Sequence, residues 1–97
     1  MRVIYKYMVS TDHDLILRLD NPKVVMVGAD QPGDLEPTIW IEHYNYGDEY
    51  EDEWDDEEAV TYTIIGTGHP IPNSYKHVGS CKCADGRLTW HVYEAPQ

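Results

Sequence analysis

Phenylalanine is absent from this 97-residue chain, cysteine occurs only twice, and just seven residues are Lys or Arg. Each shortage excludes something. Two cysteines cannot form a disulfide framework, and a domain of this length buries roughly two thirds of its unfolded surface without one. Seven cations against eighteen acids, a net charge of -11, exclude the basic surface that nucleic-acid and anionic-membrane binders require. No apolar run approaches the ~20 residues of a membrane span. The amino-terminal M-R-V-I-Y-K-Y-M-V-S carries Lys6 inside its apolar run and lacks a small-residue cleavage site, so no signal peptide is expected and the expected location is a reducing cytoplasm. Tyrosine and tryptophan are plentiful, at eight and three, and both suit half-exposed positions and interfaces.

The acidity is concentrated in one segment. Nine of the eleven residues from Asp48 to Glu58 are carboxylates: Asp48, Glu49, Glu51, Asp52, Glu53, Asp55, Asp56, Glu57 and Glu58, with Tyr50 and Trp54 between them. Without that block the chain holds nine acids against seven cations, a net charge of -2. So dense a run of like charge repels itself, and serves either as a solvated loop or as a surface offered to something basic. Tyr46, Tyr50 and Trp54 recur every four residues and would line one face of a helix. Like-charge pairs at the same spacing, such as Asp48 with Asp52 and Glu49 with Glu53, oppose a stable free helix. Residues 45–58 therefore read as an acidic insert that stays mobile until bound.

Outside the block the pattern is β. Period-2 alternation marks strands over Val3 to Val9, Leu15 to Leu19, Lys23 to Gly28, Thr38 to Tyr44 and Ala59 to Ile65. Asp20-Asn21-Pro22 is a turn signal that predicts a hairpin between the second and third of these. Asp85-Gly86, the dipeptide favoured in type I′ turns, predicts a last hairpin of His77 to Ala84 with Arg87 to Glu94. Its register pairs Cys83 with Leu88 and Cys81 with Trp90, and places Ser80, Lys82, Thr89, His91 and Tyr93 on the opposite face. The fold expected is one mainly β domain over residues 1–97. It is a small antiparallel sheet closed into a barrel or sandwich, with the acidic block as a long hairpin excursion.

I-Y-K-Y at positions 4–7, the Asp20-Asn21-Pro22 turn, I-W at 39–40, G-T-G-H-P-I-P at 66–72, Y-K-H-V-G-S at 75–80 and W-H-V-Y-E at 90–94 occur in an order that resembles a family of small uncharacterised proteins of phages and prophages. The resemblance implies an accessory protein of the host cytoplasm, with no assigned activity and no catalytic residues. It also implies that related chains have a shorter, less acidic connection in place of the Asp48 to Glu58 block.

The remaining motifs point to little chemistry. An EF-hand loop needs alternating acids and a glycine at its sixth position, where a loop starting at Asp48 has Glu53. Cys81 and Cys83 lack the C-x₂₋₄-C spacing of a zinc knuckle, and the hairpin register turns His91 away from them, so buried reduced thiols and no metal are expected. Side chains two apart on a strand are ~6–7 Å apart, too far for a good disulfide. Three serines have no base at a signature spacing, so no enzyme and no cofactor are expected. The expected function is to bind and inhibit a basic, nucleic-acid-handling host defence component, such as a CRISPR effector, by presenting Asp48 to Glu58 as a nucleic-acid mimic. The alternatives are a binder that sequesters a nucleotide immune signal at Gly66, Gly68 and His69, and an inert virion or solubility component. Direct nucleic-acid and membrane binding are not expected.

Overall fold

Runs of β-branched and aromatic residues at alternating positions form strands through most of this protein. The computed structural model describes residues 1–44 and 57–96, with the backbone alone for Glu57 and Glu58. Six strands are found: β1 (Arg2–Met8), β2 (Leu15–Gly28), β3 (Thr38–Tyr44), β4 (Glu57–Gly66), β5 (Lys76–Cys83) and β6 (Leu88–Ala95). All pairings are antiparallel, in the order β1-β3-β2-β4-β6-β5, and no helix occurs among the described residues.

β2 organises the sheet, and it corrects the expected hairpin at Asp20-Asn21-Pro22. The chain does not reverse there. Asn21 adopts φ 50°, the left-handed region that Asn tolerates, and the register shifts between Asp20 and Lys23. Pro22, which has no N–H, falls at this interruption, where a missing donor costs the ladder least. The strand continues through the kink but changes partners, with Leu15 to Asp20 on β4 and Asp20 to Gly28 on β3.

The kink turns the two halves of the sheet toward each other. Ile39 and Ile41 of β3 share one buried cluster with Val60 and Tyr62 of β4, Val92 of β6, Leu19 of β2 and Val9. β3 and β4, expected to flank a hairpin excursion, are separated by β2. Tyr44 and Glu57 both pair with Asp20, one from each side.

Closure into a barrel is not found either, because β5 ends at an unpaired edge beside the second half of β2. There Gly79 lies against Val27, whose side chain occupies the space that a side chain at position 79 would need. A Cβ at Gly79 would stand 2.4 Å from Val27 Cγ2. The register of β5 on β6 shifts between His77 and Gly79, the mark of a bulge. A cleft of about 270 Å³ opens along this seam, with Pro22, Lys23 and Val24 on one side and Tyr62, Lys76 and Glu94 on the other.

The last hairpin has the expected register, Cys83 opposite Leu88 and Cys81 opposite Trp90. Asp85 and Gly86 are left-handed as the turn dipeptide requires, at φ 55° and 88°, but Ala84 is left-handed too, at 51°. Its N–H does not face Arg87, and bonds instead to the carbonyl of Asp34 at 2.7 Å. A tertiary contact therefore lengthens the loop by one residue on each side.

The Gly79 contact makes a testable demand on stability. Gly79→Ala should destabilise the protein by ~1–3 kcal/mol, the usual cost of overpacking. In a Val27→Ala background the same substitution should cost clearly less, as read by urea denaturation. Equal costs in the two backgrounds would show that the seam does not depend on this contact.

Candidate functional site

The acidic segment joins the sheet at one point. Antiparallel neighbours are ~4.8 Å apart, so Tyr44 and Glu57, on either side of Asp20, stand about 10 Å from each other. Seven acids lie between them in sequence, from Asp48 to Asp56. Asp20 Oδ2, at the same end of the sheet, is buried and without a hydrogen-bond partner among the described residues. Glu57 and Glu58 belong to β4, and the rest of the expected binding segment, Asp48 to Asp56 with Tyr50 and Trp54, lies outside the described residues, as does its expected mobility.

At the root of this segment a buried polar pair interrupts the core. His43 is buried, with Nδ1 3.2 Å from the carbonyl of Tyr44 and Nε2 3.3 Å from the hydroxyl of Tyr7. Both bonds are made when Nδ1–H donates to the carbonyl and the Tyr7 hydroxyl donates to Nε2. Tyr5 meets the ring edge-on, at 5.4 Å between centroids. Burial, then the neighbouring Tyr5, push the Tyr7 hydroxyl above its usual range, so it stays a donor.

Gly66, Gly68 and His69 form a hydrogen-bonded turn in which the His69 N–H donates to the Gly66 carbonyl at 3.1 Å. That N–H is not available to an anion. Gly66 gives the His69 and Trp90 rings room, since a Cβ there would lie 3.2 Å from His69 Nδ1. Gly68, at φ 88°, supplies the left-handed position.

The structure brings together a set of side chains that the spacing concealed. On the outer face of β5 and β6, Ser80 Oγ lies 2.8 Å from His77 Nε2 and 2.7 Å from His91 Nδ1, while His91 Nε2 lies 2.9 Å from Thr67 Oγ1. Every donor meets an acceptor when the chain runs from His77 Nε2–H through Ser80 to His91 Nδ1 and from His91 Nε2–H to Thr67, or in the opposite direction, so one of the two ring nitrogens facing Ser80 carries a proton and the other accepts. His77 also packs on Tyr93, with centroids 5.1 Å apart. Strict alternation puts His77 on the cysteine face. The bulge between His77 and Gly79 reverses this, and nothing in the sequence except a glycine within a strand pattern signals it.

Cys81 and Cys83 share the other face, as the register required. Both are free thiols, Cys83 buried and Cys81 half-buried, with sulfurs 3.9 Å apart. Burial first, then Cys83 itself, push the Cys81 thiol up to about 11. Cys83 is also raised, mainly by burial. No group of three or more His, Cys, Asp or Glu able to hold a metal ion occurs among the described residues. The folded chain holds its thiol protons above pH 9, the ordinary value, where the unfolded chain releases them. Stability should therefore be unaffected by these groups below that pH and fall as pH rises from about 9 toward 11. Cys81→Ser with Cys83→Ala should flatten this part of the pH profile. Alkylation of the folded protein at pH 8 should be slow beside that of an unfolded control.

Comparison with known proteins gives a family and no activity. No curated protein and no solved structure matches the chain. Among the described residues no helix is long and apolar enough to cross a membrane. A model described as a domain of unknown function (DUF7352) matches residues 1–97, and the chain accordingly belongs to that family.

Proposed function

We propose that this protein is a binding protein of the host cytoplasm that inhibits a nucleic-acid-handling defence component by offering its acidic segment to a basic groove. The observation that carries this reading is the anchoring of the segment. Both of its ends pair with Asp20, so a seven-acid connection leaves and re-enters one end of a packed sheet at points about 10 Å apart. Anchored charge of this density creates a local negative field, which speeds encounter with a basic partner and opposes contact with nucleic acid itself. Tyr50 and Trp54 lie within the same segment and are the residue types that form desolvated interface anchors. The class of partner is inferred from this charge in a chain that resembles phage-encoded ones, a resemblance that itself assigns no activity; an anti-CRISPR-like target is one case.

A nucleotide binder built on Gly66, Gly68 and His69 has less support, because the turn uses the His69 N–H internally and brings no Lys or Arg from its own sequence. Nothing observed favours an inert virion role.

The test is a binding titration against the partner recovered from an infected host, at low and high salt. Converting Asp48, Glu49, Glu51, Asp52, Glu53, Asp55 and Asp56 to their amides should weaken binding by more than about tenfold at low salt and by much less at high salt, where fields are screened within ~3–10 Å. Tyr50→Ala and Trp54→Ala should instead raise the dissociation rate at every salt concentration. An amide variant that binds and inhibits like the intact protein rules out the acidic segment as the docking surface.

A further inference from the structure

We propose that His77 and His91 form a two-imidazole site for a divalent transition-metal ion, with Cu²⁺ the ion best matched. The argument begins with the hydrogen-bond chain. His77 Nε2 and His91 Nδ1 converge on a single atom, Ser80 Oγ, at 2.8 and 2.7 Å. A metal–imidazole bond is ~2.0–2.1 Å, so an ion taking the place of the Ser80 hydroxyl requires each nitrogen to approach by less than about 1 Å. His77 is exposed and His91 only half-buried, and both can make that adjustment without disturbing the core.

The chain also bears on the state of the ligands. A metal-bound histidine usually donates its other ring N–H to a fixed acceptor, which sets the tautomer. Thr67 Oγ1, 2.9 Å from Nε2, is such an acceptor for His91, and the one proton held between Ser80 and the two rings shifts to the far nitrogen of its ring when both bind the ion. Tyr93 packs against the His77 ring at 5.1 Å and limits its rotation. The bulge in β5 is what places His77 beside Ser80. Without it His77 would project from the opposite face, and bulges commonly serve to re-aim a side chain. Two nitrogens, with solvent oxygens to complete the shell, match the tetragonal N,O preference of Cu²⁺, which also heads the affinity order for divalent first-row ions. Cys81 and Cys83 lie on the other face and are not part of the site. The site is independent of the acidic segment and of the partner proposed for it.

The experiment is titration of the full chain with Cu²⁺ at neutral pH, followed by calorimetry and by electron paramagnetic resonance. One equivalent should bind, with nitrogen hyperfine structure from two imidazoles. His77→Ala and His91→Ala should each weaken this binding by about tenfold or more, in the range seen when a metal site loses a supporting group. His69→Ala and His13→Ala, which alter histidines outside the network, should leave it unchanged. Ser80→Ala separates a metal site from a simple polar network, because removing the hydroxyl that occupies the ion's position should preserve or tighten binding. Melting temperatures of the variants confirm that they fold. Wild-type affinity in His77→Ala or His91→Ala, a one-nitrogen spectrum, or a Ser80→Ala variant that loses the ion as fully as the histidine variants would each overturn the site.

Discussion

The close approach of β5 to the second half of β2 depends on position 79 having no side chain. Val27 reaches to where a Cβ would be, and a residue other than glycine there requires one of the two to shift. No ladder joins these two strands, although neighbouring strands elsewhere in the sheet pair at the usual ~4.8 Å. β5 therefore stays an edge, the sheet remains open, and the seam leaves a cleft where Tyr62 and Glu94 meet two lysines. Burial, and then the Glu94 carboxylate, raise the Tyr62 hydroxyl to about 12, so it lines this cleft as a neutral group.

The bulge that delivers Gly79 to Val27 has a second consequence on the outer face. One extra residue in β5 moves every preceding side chain to the opposite side of the strand. His77 thus leaves the cysteine face and joins Ser80, His91 and Thr67. Inner packing and outer chemistry are coupled through one backbone irregularity. The coupling explains why a polar cluster with a complete donor and acceptor pattern stands on an otherwise ordinary hairpin surface.

Charge is distributed by a different principle. The sheet is nearly balanced, with Arg2 on Glu42 at 3.2 Å and Lys6 on Asp30 at 2.8 Å, while the excess acid is confined to one connection. The two ends of that connection are held by the β2 ladder at Asp20. A protein built this way can carry a strong local field on a scaffold whose stability comes from apolar burial. That separation is what a charge-driven binding function would require.

Much of this was legible in the chain. The strand positions followed from period-2 alternation, the register of the last hairpin from Asp85-Gly86, the separation of His91 from the cysteines from that register, and the concentration of charge from counting. These are local properties, fixed by which residues neighbour each other along a strand. The reading failed where neighbours along the chain gave way to neighbours in space. Asp20-Asn21-Pro22 has turn chemistry, yet β3 and β4 pair with β2 on either side of it, so the chain kinks and continues instead of reversing. Ala84 is left-handed because its N–H bonds to Asp34, fifty residues earlier in the chain. His77 faces His91 because the ladder of β5 on β6 shifts between His77 and Gly79, beside the Gly79 contact with Val27. The sequence by itself determined where β-structure forms, the faces of the last hairpin from Ser80 onward and the site of the charge. Tertiary structure decided which strands adjoin, where the sheet stays open and which histidines meet, because each of these depends on contacts between residues that no local pattern connects.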